Sequence, residues 1–214
     1  MKINFIISAI LSVLILLITS TDSQSSAKLL LLQQSVGAAG TEKPLYQQTD
    51  KRTGNSCYVY SQYVVKTVSS EDIGEDIKVF KRNTEMDSKK ACANDKRQPY
   101  MTIKNPDANW FFGLSGDKFF VDSGTSAGTR GLDVVSLTSK KTIFSTEYNA
   151  EAKVSAGSLI YNKPSNVNGS RKNCPQARKW EKEGGGIGWV RPTRLNLITL
   201  KETSAGPLTC HYVE

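Results

Sequence analysis

His211 and the four cysteines are the residues of this 214-residue chain whose types could support nucleophilic catalysis or metal binding. A serine or cysteine nucleophile of the usual kind needs a histidine base, and the single histidine follows Cys210 in a stretch with strand-like composition. The cysteines have no Cys-x-x-Cys spacing, so the sequence offers no local pair of zinc ligands. We therefore interpret His211 as an ordinary strand residue and expect no catalytic triad, no metal site and no cofactor.

Asp122 is the strongest catalytic candidate, because it follows three apolar residues and precedes the run Ser-Gly-Thr-Ser. This pattern resembles the active-site signature of aspartic proteases, in which apolar residues precede Asp-Ser/Thr-Gly-Ser/Thr. The resemblance implies a hydrolase in which two carboxylates share one proton and activate a water molecule. A hydrolase centred on Asp122 is therefore the alternative function of this chain.

The remainder of that signature is not found in the chain. No second Asp-Ser-Gly or Asp-Thr-Gly occurs in the chain. The retroviral-type members of the family also have a later strand with two apolar residues followed by glycine, and the most similar segment here, residues 186–188, lacks one of the two apolar residues. The other interpretation is a hairpin loop between strands that end at Val121 and begin at Leu132. Asp122 and Ser123 would then cap backbone donors, and we favour this interpretation.

Residues 1–27 have the pattern of a secretory signal peptide. Lys2 precedes a largely apolar run of 15 residues from Phe5 to Thr19, and Ser25 to Ala27 supply small residues at a cleavage site. A membrane-spanning helix needs about 20 apolar residues, so cleavage is favoured over anchoring. We expect a secreted or periplasmic protein that has no membrane span after cleavage, in a compartment where cysteines oxidise.

Four cysteines allow three pairings. We expect Cys57 to pair with Cys92 and Cys174 with Cys210, because each bond joins neighbours along the chain and the second attaches a predicted helix to the last strand. Each closed loop of about 35 residues would stabilise the fold by roughly 3 to 4 kcal/mol in the chain-entropy description.

The chain downstream of the signal peptide is typical of a β-rich domain. From Cys57 onward, short runs of Val, Ile, Tyr, Phe and Thr alternate with Gly, Asn, Ser, Asp and Lys turns, as in strands joined by hairpins. Residues 33–56 are polar and have no sustained period, so we expect a flexible N-terminal segment over residues 28–56. Residues 57–214 should form a single disulfide-stabilised domain, an antiparallel β-sandwich or a small barrel or meander.

Ten strands and one short helix are predicted within this domain. The helix begins at Cys174-Pro175 and ends at Gly184–Gly186, because proline suits the first helical position and glycine suits a C-cap. Along several of these strands, the apolar residues occupy alternate positions and then switch to the positions in between. Such strands are either bulged or covered on both faces. The predicted strands are Tyr58–Val68, Ile77–Lys81, Tyr100–Lys104, Lys118–Val121, Leu132–Leu137, Thr142–Glu147, Ala152–Ser155, Ser158–Tyr161, Arg194–Lys201 and Leu208–Val213.

The segment from Arg171 to Arg194 holds the candidate binding residues. Seven Lys and Arg against two Glu give it a net charge of +5. A 100° step per residue places Trp180 on a different side of the helix from its cations, which favours a core position, whereas Trp189 fits a core position or a ligand contact equally well. Basic side chains beside an aromatic ring suit an acidic glycan or an acidic protein loop. The candidates are Arg171, Lys172, Arg178, Lys179, Lys182, Trp189, Arg191 and Arg194.

The whole chain is basic, with 28 Lys and Arg against 20 Asp and Glu and a formal net charge of +8. These cations occur as short pairs rather than as one block with interleaved aromatic residues, so we expect no nucleic-acid partner. A solvated surface explains this pattern, and attraction to an acidic protein, a glycan or an envelope surface is the functional alternative. We therefore expect a non-enzymatic binding module, for example an inhibitor or an envelope- or glycan-binding protein.

Overall fold

The computed structural model describes residues 41–93, 96–105, 108–125, 128–167, 169 and 171–213. The predicted signal peptide, the first part of the predicted flexible segment and Ser126 lie outside the described residues. Two antiparallel sheets dominate the described residues, which confirms the prediction of a mainly β fold. No helix in these ranges is both long and apolar enough to cross a membrane.

The first sheet is a five-stranded antiparallel meander whose strands follow the order of the sequence. β1 lies inside the segment that we expected to be flexible, and it pairs with β2 from Tyr46 opposite Val59 to Thr49 opposite Ser56. Regular structure therefore begins before the predicted boundary at residue 57. The strands are β1 (Tyr46–Thr49), β2 (Ser56–Val59), β3 (Tyr63–Ser69), β4 (Glu75–Lys81) and β5 (Met101–Ile103).

A turn divides the long predicted strand Tyr58–Val68 into β2 and β3. The amide of Tyr60 donates a hydrogen bond of 2.8 Å to the carbonyl of Tyr63 across this turn. The turn residues Ser61 and Gln62 include neither glycine nor proline, so the sequence lacks the strongest turn signals here. Both residues are exposed at the tip of the hairpin.

The second sheet has eight strands and curls into a half-barrel. Their order is β12-β11-β10-β9-β8-β7-β6, and β13 also pairs with β11. Register shifts occur between β6 and β7, between β8 and β9 and between β9 and β10, and such bulges bend a strand and increase its twist. The strands are β6 (Asn109–Ser115), β7 (Lys118–Ser123), β8 (Thr129–Ser136), β9 (Lys141–Ser155), β10 (Ser158–Pro164), β11 (Gly186–Asn196), β12 (Glu202–Ser204) and β13 (Thr209–Val213).

The main core lies where the two sheets pack together. Tyr63 and Ile77 of the first sheet share one buried cluster with Phe119 and Val121 of β7. Phe120, which alternates with these two β7 residues, is also fully buried. β7 is therefore covered on both faces.

No turn separates the predicted strands Thr142–Glu147 and Ala152–Ser155, which are both part of β9. The register between β9 and β10 shifts between Tyr161 and Asn162, which marks a bulge where the two predicted strands were divided. Asn, Ala and Glu at this position resemble a turn in the sequence because a bulge also interrupts the alternation of a strand.

β11 begins at Gly186, well before the predicted strand start at Arg194. The glycines that end the preceding helix continue directly into a strand that pairs with β13, where Gly188 lies opposite His211. A side chain at position 188 would overlap the His211 ring, so this close approach of the two strands requires glycine.

A helix that was not predicted, α1 (Ser88–Ala93), lies between β4 and β5. Asp87 caps it by accepting hydrogen bonds from the backbone amides of Lys89 and Lys90 at 3.0 and 3.2 Å. The Cys57–Cys92 disulfide joins α1 to β2.

The predicted helix is present as α2 (Ala177–Lys182), preceded by a 3-10 turn at Arg171–Asn173. The Cys174–Cys210 disulfide joins the residues before α2 to β13. Both expected cysteine pairs are thus confirmed.

Candidate functional site

Asp122 lies inside a strand rather than in a loop, because β7 continues to Ser123 and β8 begins at Thr129. Its side chain is 4% exposed. The carboxylate accepts hydrogen bonds from Arg130 Nε at 2.8 and 3.0 Å, from Arg130 Nη2, and from the Tyr148 hydroxyl at 2.9 Å. The expectation that Asp122 caps backbone donors is therefore wrong, since the longer strands shorten the loop and bring Arg130 beside the carboxylate.

The two partners of Asp122 are held as hydrogen-bond donors. Burial, and then the Asp122 carboxylate, raise the pKa of Tyr148, so its hydroxyl keeps its proton. Burial alone would lower the pKa of Arg130, but the hydrogen bonds and charge of Asp122 raise it above its ordinary value. The Arg130 guanidinium also lies 4.8 Å from the centroid of the Trp110 ring. Within the described residues, this carboxylate contacts a guanidinium and a phenol and no second carboxylate, which is the arrangement of a buried structural ion pair.

Trp189 is a core residue. It is 7% exposed and shares a buried cluster with Cys174 and Ala177, between α2 and the second sheet. A side chain at Gly169 would overlap the Trp189 ring, so the ring lies directly against the backbone there. The structure therefore decides between the two interpretations that the sequence left open, and Trp189 is not an exposed contact.

Part of the positive charge around α2 is paired. Arg171 donates to Glu181 at 2.7 Å, and Lys179 Nζ lies 3.9 Å from a carboxylate oxygen of Glu183. Exposed pairs of this kind contribute roughly 0 to 1 kcal/mol, so a charged ligand can replace them at little cost.

The remaining α2 cations, Arg178 and Lys182, form no ion pair with any described residue. Each lies two residues from Trp180, and residues two apart on a helix do not face each other. Gln176 lies four residues before Trp180, so these two residues share one side of α2. Lys179, three residues after Gln176 and three before Lys182, lies between that side and the side that holds Arg178 and Lys182.

The other sequence candidates are not brought onto the side of α2 that holds Gln176 and Trp180. Arg191 and Arg194 are three residues apart on β11, so their side chains point to opposite faces of the sheet. In β10, Lys163 lies opposite Arg191 and Ile160 lies opposite Arg194. Lys172 is exposed in the 3-10 turn before α2.

An open groove of about 450 Å³ lies between α2 and β13. The Trp180 and Tyr212 rings meet edge to face in it, with centroids 6.3 Å apart and planes at 71°. A side chain at Gly185 would overlap the Tyr212 ring, so glycine lets this ring lie against the chain between α2 and β11. The lining residues are Asn173, Pro175, Gln176, Trp180, Thr209, Cys210, His211 and Tyr212.

The groove contains hydrogen-bonding groups that the protein itself does not use. The side-chain amides of Asn173 and Gln176 and the hydroxyl of Thr209 make no hydrogen bond with any described residue. His211 Nδ1 lies 2.9 Å from the carbonyl oxygen of Tyr212. Each amide both donates and accepts, so the groove can hydrogen-bond a ligand that carries hydroxyl groups.

Sequence reasoning identified the cations of this region but not the groove. Thr209 and Tyr212 were not candidates, and His211 was interpreted as an ordinary strand residue. The signal that could have found them was the expected Cys174–Cys210 bond, because a disulfide brings the residues beside both cysteines together.

The groove presents two aromatic rings, two amides and a hydroxyl group, all of which can make non-covalent contacts. Its cysteine, Cys210, is bonded to Cys174 and so is not a nucleophile. In the part of the chain that the structure describes, no three His, Cys, Asp or Glu side chains come together as possible metal ligands. No protein family, curated protein or solved structure matches this chain.

Proposed function

We propose that this protein is a secreted or periplasmic, non-enzymatic binding module whose groove between α2 and β13 takes an acidic glycan. The observation that carries the proposal is the combination of two aromatic rings, Trp180 and Tyr212, with amide and hydroxyl groups that have no partner in the described structure. A sugar presents hydroxyl groups around apolar C–H faces, and this combination matches both.

Charge favours an acidic glycan over a neutral one. The chain carries a formal net charge of +8, and Lys179 is next to the groove residue Gln176 on the surface of α2. Its ion-pair partner, Glu183, is exposed and 3.9 Å away, so a ligand carboxylate can displace it.

An acidic protein loop is the competing ligand, as expected for an inhibitor. Protein interfaces usually bury aromatic anchors at the centre of a large contact area. Here the two aromatic rings line a concavity, and its volume of about 450 Å³ lies within the usual range for small-ligand sites. The shape of the site therefore supports the glycan.

Binding of an acidic oligosaccharide should depend on Lys179 and not on Arg178. Both are cations of α2, but Lys179 lies three residues after the groove residue Gln176 and next to it, whereas Arg178 is two residues from both Gln176 and Trp180 and faces neither. Lys179→Glu should weaken binding about tenfold at low salt, and Arg178→Glu, the matched charge reversal, should change it less than about threefold. Calorimetric titration with uronic-acid and neutral oligosaccharides of equal length measures both effects.

Salt provides a further control, because the Debye length falls from about 10 Å at 0.1 M to about 3 Å at 1 M. The affinity for the acidic oligosaccharide should fall over this range, and the difference between the two variants should shrink. Equal losses in the two variants, or binding of acidic peptides but of no oligosaccharide, would refute the proposed glycan site.

Analysis of the protein purified after export tests the proposed localisation. The pattern of residues 1–27 supports cleavage, and the exported protein should begin close to Lys28 and contain no free thiol. N-terminal sequencing and thiol labelling of the unfolded, unreduced protein check these expectations. Exported protein that still begins at Met1, or that labels at four cysteines, would show the opposite.

A further inference from the structure

We infer that a second site, separate from the groove, binds a phosphate or sulfate group at the end of the first sheet. An open pocket of about 200 Å³ lies at the tip of the β2–β3 hairpin, beside the end of β4. Its lining residues all carry hydrogen-bond donors, and none is a carboxylate. Such a lining favours a ligand that is anionic and rich in acceptor oxygens. The residues are Ser61, Gln62, Tyr63, Lys81, Arg82 and Thr84.

Several of these donors are unused. The side chains of Ser61, Gln62 and Thr84 make no hydrogen bond with any described residue. Burial, followed by the influence of Tyr100 and Asp117, raises the pKa of Tyr63, so its hydroxyl remains a donor. The pocket therefore offers three hydroxyl groups and one amide to a ligand.

Two lysines share one aromatic ring beside this pocket. Lys140 Nζ lies 3.9 Å and Lys81 Nζ lies 4.8 Å from the centroid of the Tyr100 ring, which is itself 6.3 Å from the Tyr63 ring. Neither lysine pairs with a carboxylate in the described part of the chain. A tyrosine ring attracts a cation without neutralising its charge, so both ammonium groups remain available to an anion.

Arg82 adds charge at the same strand end. Its Nη1 donates to the carbonyl of Tyr60 at 3.2 Å. Its Nε atom is buried and has no hydrogen-bond partner among the described residues. The contact to a carbonyl oxygen fixes the position of the guanidinium without neutralising it, so its charge is available to an oxyanion.

Asp117, a nearby acid, is already occupied. Asp117 is the carboxylate whose charge acts on Tyr63. It accepts from Lys118 Nζ at 2.7 Å and from the hydroxyls of Ser136 and Thr138 at 3.2 and 3.4 Å. Asp117 is therefore paired with residues outside the pocket and does not pair with the pocket's cations.

Calorimetric titration of the full protein with inorganic phosphate, inorganic sulfate and methyl phosphate, at constant ionic strength, tests the site. We expect one equivalent to bind, with affinity at least tenfold weaker in Lys81→Gln. Lys78→Gln is the matched control, because it removes the same charge from β4 on the opposite face and should leave binding unchanged. Ser61→Ala, which removes one exposed hydroxyl and no charge, should weaken binding severalfold.

Each outcome of this titration either identifies the ligand of the proposed site or overturns the site. Methyl phosphate that binds as well as inorganic phosphate identifies the ligand as an ester whose organic part points to solvent, and selective binding of the inorganic ions identifies a free anion. Tyr212→Ala should leave phosphate binding intact, since that residue belongs to the groove. The absence of saturable binding, or equal losses in Lys81→Gln and Lys78→Gln, would overturn the inference.

Discussion

Replacing Asp122 by asparagine should lower the free energy of unfolding by about 3 to 5 kcal/mol. The carboxylate is 4% exposed and its partner Arg130 is 19% exposed, so the substitution leaves a partly buried guanidinium without its counter-charge. Urea unfolding followed by circular dichroism measures the change. Asp133→Asn in β8 is the matched control, because Asp133 forms no ion pair with any described residue, and it should cost less than about 0.5 kcal/mol.

A milder variant separates the hydroxyl from the charge. Tyr148→Phe keeps the buried ring and removes one donor to Asp122, so it should cost about 1 to 3 kcal/mol. A cost below about 1 kcal/mol for Asp122→Asn would mean that the ion pair gives no net stability. Peptide cleavage in mild acid that disappears in Asp122→Asn, while the variant stays folded, would support the hydrolase alternative instead.

Replacing Cys174 and Cys210 together by alanine should abolish glycan binding and lower the free energy of unfolding by about 3 to 4 kcal/mol. The bond closes a 36-residue separation, and Cys210 and the neighbours of Cys174, Asn173 and Pro175, line the groove. Without the bond, the residues before α2 are free to move away from β13.

The other disulfide is a matched control, because Cys57 and Cys92 are 35 residues apart and join α1 to β2. Replacing both by alanine should cost a similar free energy of unfolding and leave glycan affinity unchanged, provided that both proteins are measured below their unfolding transitions. Retained affinity in the Cys174/Cys210 variant, or equal losses in the two variants, would place the ligand outside the groove.

Local patterns were sufficient to predict the β architecture and both disulfides, but tertiary contacts decided several elements. α1 has one buried residue, Ala91, so its sequence shows no apolar periodicity from which a helix could be predicted. The Asp87 cap and the disulfide to Cys57 stabilise this helix instead. β6 was missed because Gly113, with φ +147° and a register shift beside it, interrupts the alternation by which strands are recognised.

The candidate site was predictable in charge but not in geometry. The acidic motif pointed to Asp122, yet its partner Arg130 is eight residues away and reaches it only through the pairing of β7 with β8. The glycine run after α2 is typical of a helix end, so the sequence does not indicate that β11 begins there. Nor does it indicate that the Tyr212 ring packs against Gly185. Such contacts depend on strand register, which follows from the hydrophobic pattern and turn geometry of whole strands and not from a short motif.

Nuclear magnetic resonance during titration with a uronic-acid oligosaccharide tests the groove most directly. The side-chain amide signals of Asn173 and Gln176 and the backbone amide signals of His211 and Tyr212 should shift and saturate together, and the signals of the first sheet should stay in place. Shifts that saturate around Arg130 or on the first sheet, with none in the groove, would contradict the account.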